Sequence, residues 1–100
     1  MIPTKRITTH PGEILREEFV KPLGITANGL AQALRVDAGC IGQILKCKRA
    51  VTANTAMRLG RYFSTTAEFW INLQAAYDLT TAQVELGARI ERDVHPREAA

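Results

Sequence analysis

The chain contains little cysteine and histidine, with two of each among its 100 residues. Cys40 and Cys47 are seven residues apart, so on one helix their Cα atoms would lie about 10 Å apart, too far for a disulfide. His10 and His95 are distant from both cysteines in the sequence, so these four side chains lack the spacing of a metal site. We therefore expect free thiols, no metal and no other cofactor.

Long apolar runs and strand-like alternation are also missing. No window approaches the roughly 18 consecutive apolar residues of a membrane span, and the first residues lack the apolar run of a signal peptide. We therefore expect a cytoplasmic protein that does not contact a membrane. No stretch alternates apolar and polar residues with the period typical of a strand. A chain of 100 residues that is 46% hydrophobic fits one small all-α domain.

Charge is present in quantity but is unevenly distributed. The net charge is +3 at pH 7, yet residues 1–62 hold ten Lys or Arg against four Asp or Glu, and residues 63–100 hold three against six. A basic first part suits a polyanion such as nucleic acid, and an acidic last part does not. Ordinary scatter of surface charge gives a similar picture, so charge alone leaves both interpretations open.

The stretch 27–46 has the pattern of a helix-turn-helix. Its apolar positions predict two short amphipathic helices, 27–35 and 38–46, on either side of a turn. Those positions are Leu30, Ala31, Leu34, Val36, Ile41, Ile44 and Leu45. Thr26 and Asp37 are suitable N-caps for the two helices. The second helix leaves a polar face for a partner, which for this motif is usually the major groove of DNA.

Glycine occurs twice in the second of these helices, at Gly39 and Gly42. Glycine in a helix interior costs roughly 1 kcal/mol relative to alanine. Two explanations remain open: packing on the core holds the helix in spite of its glycines, or the backbone must come close to a ligand.

Four further helices are expected around this motif. The first runs from Pro11 to about Val20 and is ended by Pro22 and Gly24. Another covers about 53–62, and capping boxes at Thr65–Glu68 and Thr80–Gln83 predict two more, over about 66–78 and 81–93. We thus expect five or six helices in a single domain, 10–93, preceded by a flexible basic arm, 1–9, and followed by a frayed tail, 94–100.

Four segments resemble the HigA/VapI antitoxins, a branch of the lambda-repressor-like proteins with an XRE-type helix-turn-helix. These segments are HPGEIL (10–15), PLGIT (22–26), ILKCKRAVTANTAMRLGRYF (44–63) and EFWINLQAAYDL (68–79). The resemblance implies a homodimer that binds the operator DNA of its own operon and represses transcription. It also implies a HigB-like partner toxin, a RelE-type mRNA endonuclease that the antitoxin neutralises by forming a complex.

The resemblance also implies which residues contact DNA. The positions that read bases are Ala38, Gly39, Gly42 and Gln43, and those that face phosphates are Thr26, Gln32, Lys46, Lys48 and Arg49. The chain departs from the family pattern, because glycine is usual where it has Arg35 and Cys47, and larger polar side chains are frequent where it has Ala38, Gly39 and Gly42. Only Gln43 is well equipped for paired hydrogen bonds to a base, so we expect phosphates and DNA shape to supply more of the affinity.

The predicted helix 66–78 is apolar on more than one side. A domain this small rarely exposes such an area without a use, so Trp70, Leu73 and Tyr77 are candidates for a homodimer interface. The alternative is that Trp70 is an ordinary core residue.

Two other functions remain open. The chain could be a stand-alone or phage-type repressor without a toxin, or a protein inhibitor whose DNA binding has decayed, which the glycines at 39 and 42 would allow. An enzyme is not expected, because the sequence shows no nucleophile–base set, no paired carboxylates on one face and no glycine-rich phosphate loop after a strand.

Overall fold

The computed structural model describes residues 6–98, and these form only helices and connecting segments. In chain order the elements are α1 (Pro11–Ile14), a π-helical segment (Leu15–Val20), α2 (Lys21–Leu23), α3 (Ala27–Leu34), α4 (Ala38–Leu45), α5 (Ala53–Phe63) and α6 (Ala67–Asp93). The expected all-α fold is therefore confirmed. None of the helices within 6–98 combines the length and apolarity that crossing a membrane requires. Parts of the predicted arm (1–5) and of the predicted tail (99–100) lie outside the described residues.

The first helix continues beyond its predicted end. It passes through Pro22 and stops at Leu23, where Gly24 takes a left-handed conformation with φ of 64°. In a regular α-helix, the ring of Pro22 would clash with the carbonyl one turn earlier. The π-helical segment widens the helix just before this point, and the N–H of Lys21 donates to the carbonyl of Arg16, five residues back. The prediction that Pro22 ends the helix is wrong for this reason.

The two helices predicted near the end of the chain are one continuous helix, α6. Its N-cap is Thr66, whose hydroxyl accepts from the N–H of Phe69 at 3.0 Å, and not Thr65, whose hydroxyl accepts from Trp70 Nε1. Thr80 does not open a new helix, because its hydroxyl donates to the carbonyl of Ala76 at 2.7 Å within α6. That hydroxyl also accepts from the N–H of Thr8 at 3.0 Å, so the segment before α1 is attached to α6.

The core lies where α1, α4 and α6 meet the remaining helices. Its largest fully buried side chains include Leu15, Ile41, Ile44 and Trp70. Gly12 allows α1 to approach α4 closely, because a Cβ at this position would overlap the carbonyl oxygen of Ile44. The helix-turn-helix formed by α3 and α4 is thus supported from behind by α1, which packs on α4, and by α5, which packs on α3.

Candidate nucleic-acid interface

Both helices of the helix-turn-helix begin at the predicted caps. The hydroxyl of Thr26 accepts from the N–H of Gly29 at 2.9 Å, and the carboxylate of Asp37 accepts from the N–H of Cys40 at 3.2 Å. These side chains satisfy N–H groups that the first turn of a helix leaves without partners. The predicted helix starts at 27 and 38 are therefore confirmed.

Both helices also end in the same kind of turn. After α3, the N–H of Arg35 donates to the carbonyl of Gln32 and that of Val36 to the carbonyl of Ala31. After α4, the N–H of Cys47 donates to Ile44 and that of Lys48 to Gln43. This pair of bonds is the Schellman motif, which needs a left-handed residue at its centre. Arg35 and Cys47 occupy that position, each with φ of 61°.

The outer face of α4 presents the residues that the resemblance assigns to base reading. Ala38, Gly39 and Gln43 are exposed and Gly42 is half-buried, whereas Ile41 and Ile44 point into the core. Residues 38, 39, 42 and 43 share one side of the helix because they are one turn apart in pairs. The structure thus brings all four together on the surface, in the place where a ligand could meet them.

Gly42 has no packing partner that would require glycine. Beyond its own turn of helix, a Cβ at this position would meet no atom of residues 6–98 within 4 Å, whereas a Cβ at Gly39 would lie 2.9 Å from the carboxylate of Asp37. At Gly42 the structure therefore gives no internal reason for accepting the cost of a helical glycine. Of the two explanations left open by the sequence, core packing is supported by the complete burial of Ile41 and Ile44, and close approach of a ligand stays a prediction.

The basic loop, residues 46–51, follows α4 directly. Its three cationic side chains, Lys46, Lys48 and Arg49, are exposed, and none forms a salt bridge with any residue from 6 to 98. The other two phosphate candidates, Thr26 and Gln32, are exposed on α3. All five side chains are therefore accessible to a partner, and their contact with phosphates remains a prediction.

Two residues that sequence reasoning missed hold the ends of the basic loop. The helical pattern places Arg16 on the solvated side of the first helix, but it is half-buried and its Nη1 donates to the carbonyl of Leu45, the last residue of α4. Gln74 is buried, and its Oε1 accepts from the N–H of Val51 at 2.8 Å. A sequence signal for Gln74 does exist, because it is a polar residue between the apolar Trp70, Leu73 and Tyr77 of the same helix face.

The predicted dimer interface requires a correction at Trp70. Trp70 has 0% of its surface exposed, so it belongs to the core of the chain and has no surface to offer a second copy. Leu73 and Tyr77 are half-buried on the same side of α6, and the ring of Tyr77 packs edge-on against His10 at a centroid distance of 4.7 Å. Trp70 is buried because this side of α6 packs against the rest of the domain.

A capped helix pair of this geometry, with an exposed outer face on its second helix and a basic loop behind it, defines the class of helix-turn-helix DNA-binding proteins. No protein-family model matches the chain. It is 53% identical over 74 residues to virulence-associated protein I of Dichelobacter nodosus, covering 74% of this chain and 68% of that protein. It is 38% identical over 79 residues to antitoxin HigA-1 of Vibrio cholerae, covering 79% of this chain and 74% of the antitoxin.

Solved structures agree with these relatives. The antitoxin HigA of Pseudomonas aeruginosa, solved with the higBA promoter, superposes with a TM-score of 0.88 at 45% identity, over 93% of this chain and all of that one. The antitoxin GraA in complex with its operator superposes with a TM-score of 0.92 at 43% identity, over 99% of both chains. The chain belongs to the HigA/VapI family of helix-turn-helix antitoxins.

Proposed function

We propose that this protein is the autoregulating antitoxin of a HigBA-like toxin–antitoxin pair. In this proposal it acts in the cytoplasm, has no enzymatic role, binds the operator upstream of its own gene and represses transcription by blocking the promoter. The observation that carries the proposal is the exposed outer face of α4, followed directly by the three exposed cations of the basic loop, which form no salt bridge within residues 6–98. The relatives solved with promoter or operator DNA support the choice of ligand.

The roles that we propose for the residues of this surface follow from side-chain chemistry. Gln43 can donate and accept a pair of hydrogen bonds to an adenine, while Ala38, Gly39 and Gly42 let α4 lie deep in the groove. Lys46, Lys48 and Arg49 neutralise phosphates whatever the base sequence, supported by Thr26 and Gln32. Binding should therefore be strongly salt-dependent, with modest direct reading of bases.

The test is a salt-titrated binding assay against the DNA upstream of the gene and against a scrambled duplex of equal length. We expect a preference for the upstream DNA by a factor of about 10³ or more, falling as salt rises. Replacing Lys48 and Arg49 by alanine should weaken binding to both duplexes and flatten the salt dependence. Gln43→Ala should instead reduce the preference between them.

Equal weak binding to both duplexes, or none, would contradict operator recognition. The remaining candidate would then be an inhibitor whose DNA binding has decayed, for which the glycines of α4 are the favouring observation. If Gln43→Ala leaves the preference for the upstream duplex unchanged, Gln43 does not read a base, even if the protein binds its operator.

A homodimer is also part of the proposal, with its interface moved to the opposite side of α6. Leu79, Leu86 and Ile90 are 59%, 41% and 51% exposed. At about 100° per residue these three side chains fall on one stripe, away from Trp70 and the core. The spacing of seven and then four residues is that of a seam between two helices. Two-fold symmetry would place two α4 helices about 34 Å apart, in successive major grooves of a palindromic operator.

The proposed toxin is a HigB-like, RelE-type mRNA endonuclease that the antitoxin binds. Two surfaces are candidates for contacting it: the basic segment before α1, and the second half of α6, where the chain is acidic. The measurement is co-purification of this chain with the protein of about a hundred residues encoded beside it, followed by an mRNA-cleavage assay with and without the antitoxin. Absence of such a neighbouring gene would instead favour a stand-alone repressor.

A further inference from the structure

The basic loop is the longest connection within the helix-turn-helix region, and it carries the cations proposed to contact phosphates. Its first half is fixed by the two backbone hydrogen bonds that close α4. Its second half, residues 49–51, receives no backbone hydrogen bond of that kind from the part of the chain that the structure describes, and α5 begins only at Ala53. A flexible loop would lose conformational entropy when it binds DNA, and this loss would lower the affinity.

A buried side chain of α6 supplies the missing constraint. The Oε1 of Gln74 accepts from the N–H of Val51 at 2.8 Å, and Gln74 and Val51 are 6% and 2% exposed. Water does not replace a bond between groups this buried, so removing the acceptor would leave the N–H of Val51 unpaired. The end of the basic loop is thereby attached to a helix that lies far from it in the sequence.

The orientation of the Gln74 amide is determined by a second partner. Its Nε2 donates to a carboxylate oxygen of Asp78 at 2.9 Å. An ionised carboxylate only accepts hydrogen bonds, so the amide nitrogen must face Asp78 and the amide oxygen must face Val51. Asp78 thus keeps Gln74 in the one orientation in which it can hold the loop.

We propose that Gln74, oriented by Asp78, is a positioning residue for DNA binding, because it holds the basic loop in the conformation in which Lys48 and Arg49 meet phosphates. This inference rests on the proposed function and adds to it a residue that does not itself contact DNA. Arg16 has the same proposed role at the start of the basic loop, because its Nη1 donates to the carbonyl of Leu45.

The test compares Gln74→Met with the double variant Gln74→Glu, Asp78→Asn. Methionine keeps the volume but removes the acceptor for Val51. In the double variant the carboxylate can accept from Val51 and from the new amide at position 78, and the net charge is unchanged, so the loop is held again. Thr65→Val is the matched control, because it removes the hydrogen bond to Trp70 Nε1 on the same helix without touching the loop.

Each variant is measured by salt-titrated binding to the upstream and the scrambled duplex, well below its unfolding temperature. Gln74→Met should bind both duplexes about tenfold more weakly, with a salt slope reduced by about 0.9 for each phosphate that the loop no longer neutralises. The double variant should recover most of the affinity. A variant that was merely less folded would bind more weakly at an unchanged slope, so the slope separates positioning from general destabilisation.

Amide hydrogen exchange of the free protein provides the second readout. Gln74→Met should accelerate exchange at residues 48–51 and leave the amides of α3 unchanged, whereas Thr65→Val should leave residues 48–51 unchanged. Wild-type affinity and slope in a folded Gln74→Met variant, or unaltered exchange in its loop, would overturn the inference. Failure of the wild type to bind the upstream DNA would instead overturn the proposed function, so the two failures are distinguishable.

Discussion

At the scale of single residues, three non-glycine residues between 6 and 98 have the left-handed backbone conformation that glycine adopts without cost: Arg35, Cys47 and Ser64. Each follows a helix and has φ close to 60°. For an L-residue this conformation costs roughly 1–2 kcal/mol. The chain therefore keeps the backbone geometry of its turns although the residue types there are unfavourable.

Replacing Cys47 by glycine should stabilise the fold. Relief of the left-handed conformation outweighs the extra entropy of glycine in the unfolded chain, so we expect a gain of about 0.5–1 kcal/mol in the free energy of unfolding. Thermal or urea unfolding measures it. Cys40→Gly is the matched control and should destabilise, because Cys40 lies in the right-handed backbone of α4. A Cys47→Gly variant less stable than the wild type would contradict this account of the turn.

His10 makes the stability depend on pH. Its Nδ1 accepts from the N–H of Gly12 at 2.8 Å, which requires the neutral ring. Burial lowers the pKa of His10 below its ordinary value of 6.5, and the nearby carboxylate of Asp78 opposes this only in part. The unfolded chain thus takes up the proton before the folded one does, so this stabilisation is complete above pH 6.5 and is lost as pH falls through the lowered pKa.

Urea unfolding between pH 8 and pH 5 measures this effect. The free energy of unfolding should decline below about pH 6.5, the ordinary histidine value. His10→Asn can still cap the helix but does not titrate in this range, so its decline should be smaller. Parallel pH profiles for the two proteins would contradict the role of His10.

At the scale of elements, Gly42 lowers the stability of α4 and leaves its outer face free of a side chain where we propose that it meets DNA. Gly42→Ala should raise the free energy of unfolding by about 0.5–1 kcal/mol, because alanine is the better helix former and no described residue opposes its Cβ. The added methyl group projects from the face proposed to meet base edges. Operator affinity should therefore fall by about tenfold, which corresponds to about 1.4 kcal/mol.

The control is Gly87→Ala on α6, where a Cβ also meets nothing within 4 Å. It should give a similar gain in stability while operator affinity and sedimentation stay as in the wild type. Unchanged or tighter operator binding by Gly42→Ala would show that α4 does not need its glycine to approach DNA.

At the scale of the whole molecule, α6 gives the protein its elongated shape, 55 Å by 25 Å by 20 Å. The first half of this helix packs on α5 and the core, while its second half extends beyond them with apolar side chains exposed. A second copy that covers the stripe of Leu79, Leu86 and Ile90 would remove this apolar area from water.

Substitution of Leu86 by lysine should therefore weaken the dimer, since a charge would have to be buried in the seam. Val84→Lys is the matched control: Val84 is exposed to a similar extent, 48% against 41% for Leu86, but lies on another side of α6. Sedimentation velocity at micromolar concentration should show dissociation for Leu86→Lys and a dimer for Val84→Lys. A wild type that sediments only as an 11 kDa species would contradict the dimer itself.

The sequence by itself determined the all-α fold, the caps at Thr26 and Asp37 and the outer face of α4, because hydrophobic spacing and capping chemistry act within one turn of helix. Only the tertiary structure decided that Pro22 lies within a helix, that α6 is continuous through Thr80 and that Trp70 is core. The same holds for the attachment of the basic loop by Arg16 and Gln74. The burial of Trp70 and the attachment of the loop depend on partners distant in the chain, which local patterns do not reveal. Pro22 and Thr80 are accommodated by hydrogen bonds within their own helices, and residue type alone does not indicate these bonds.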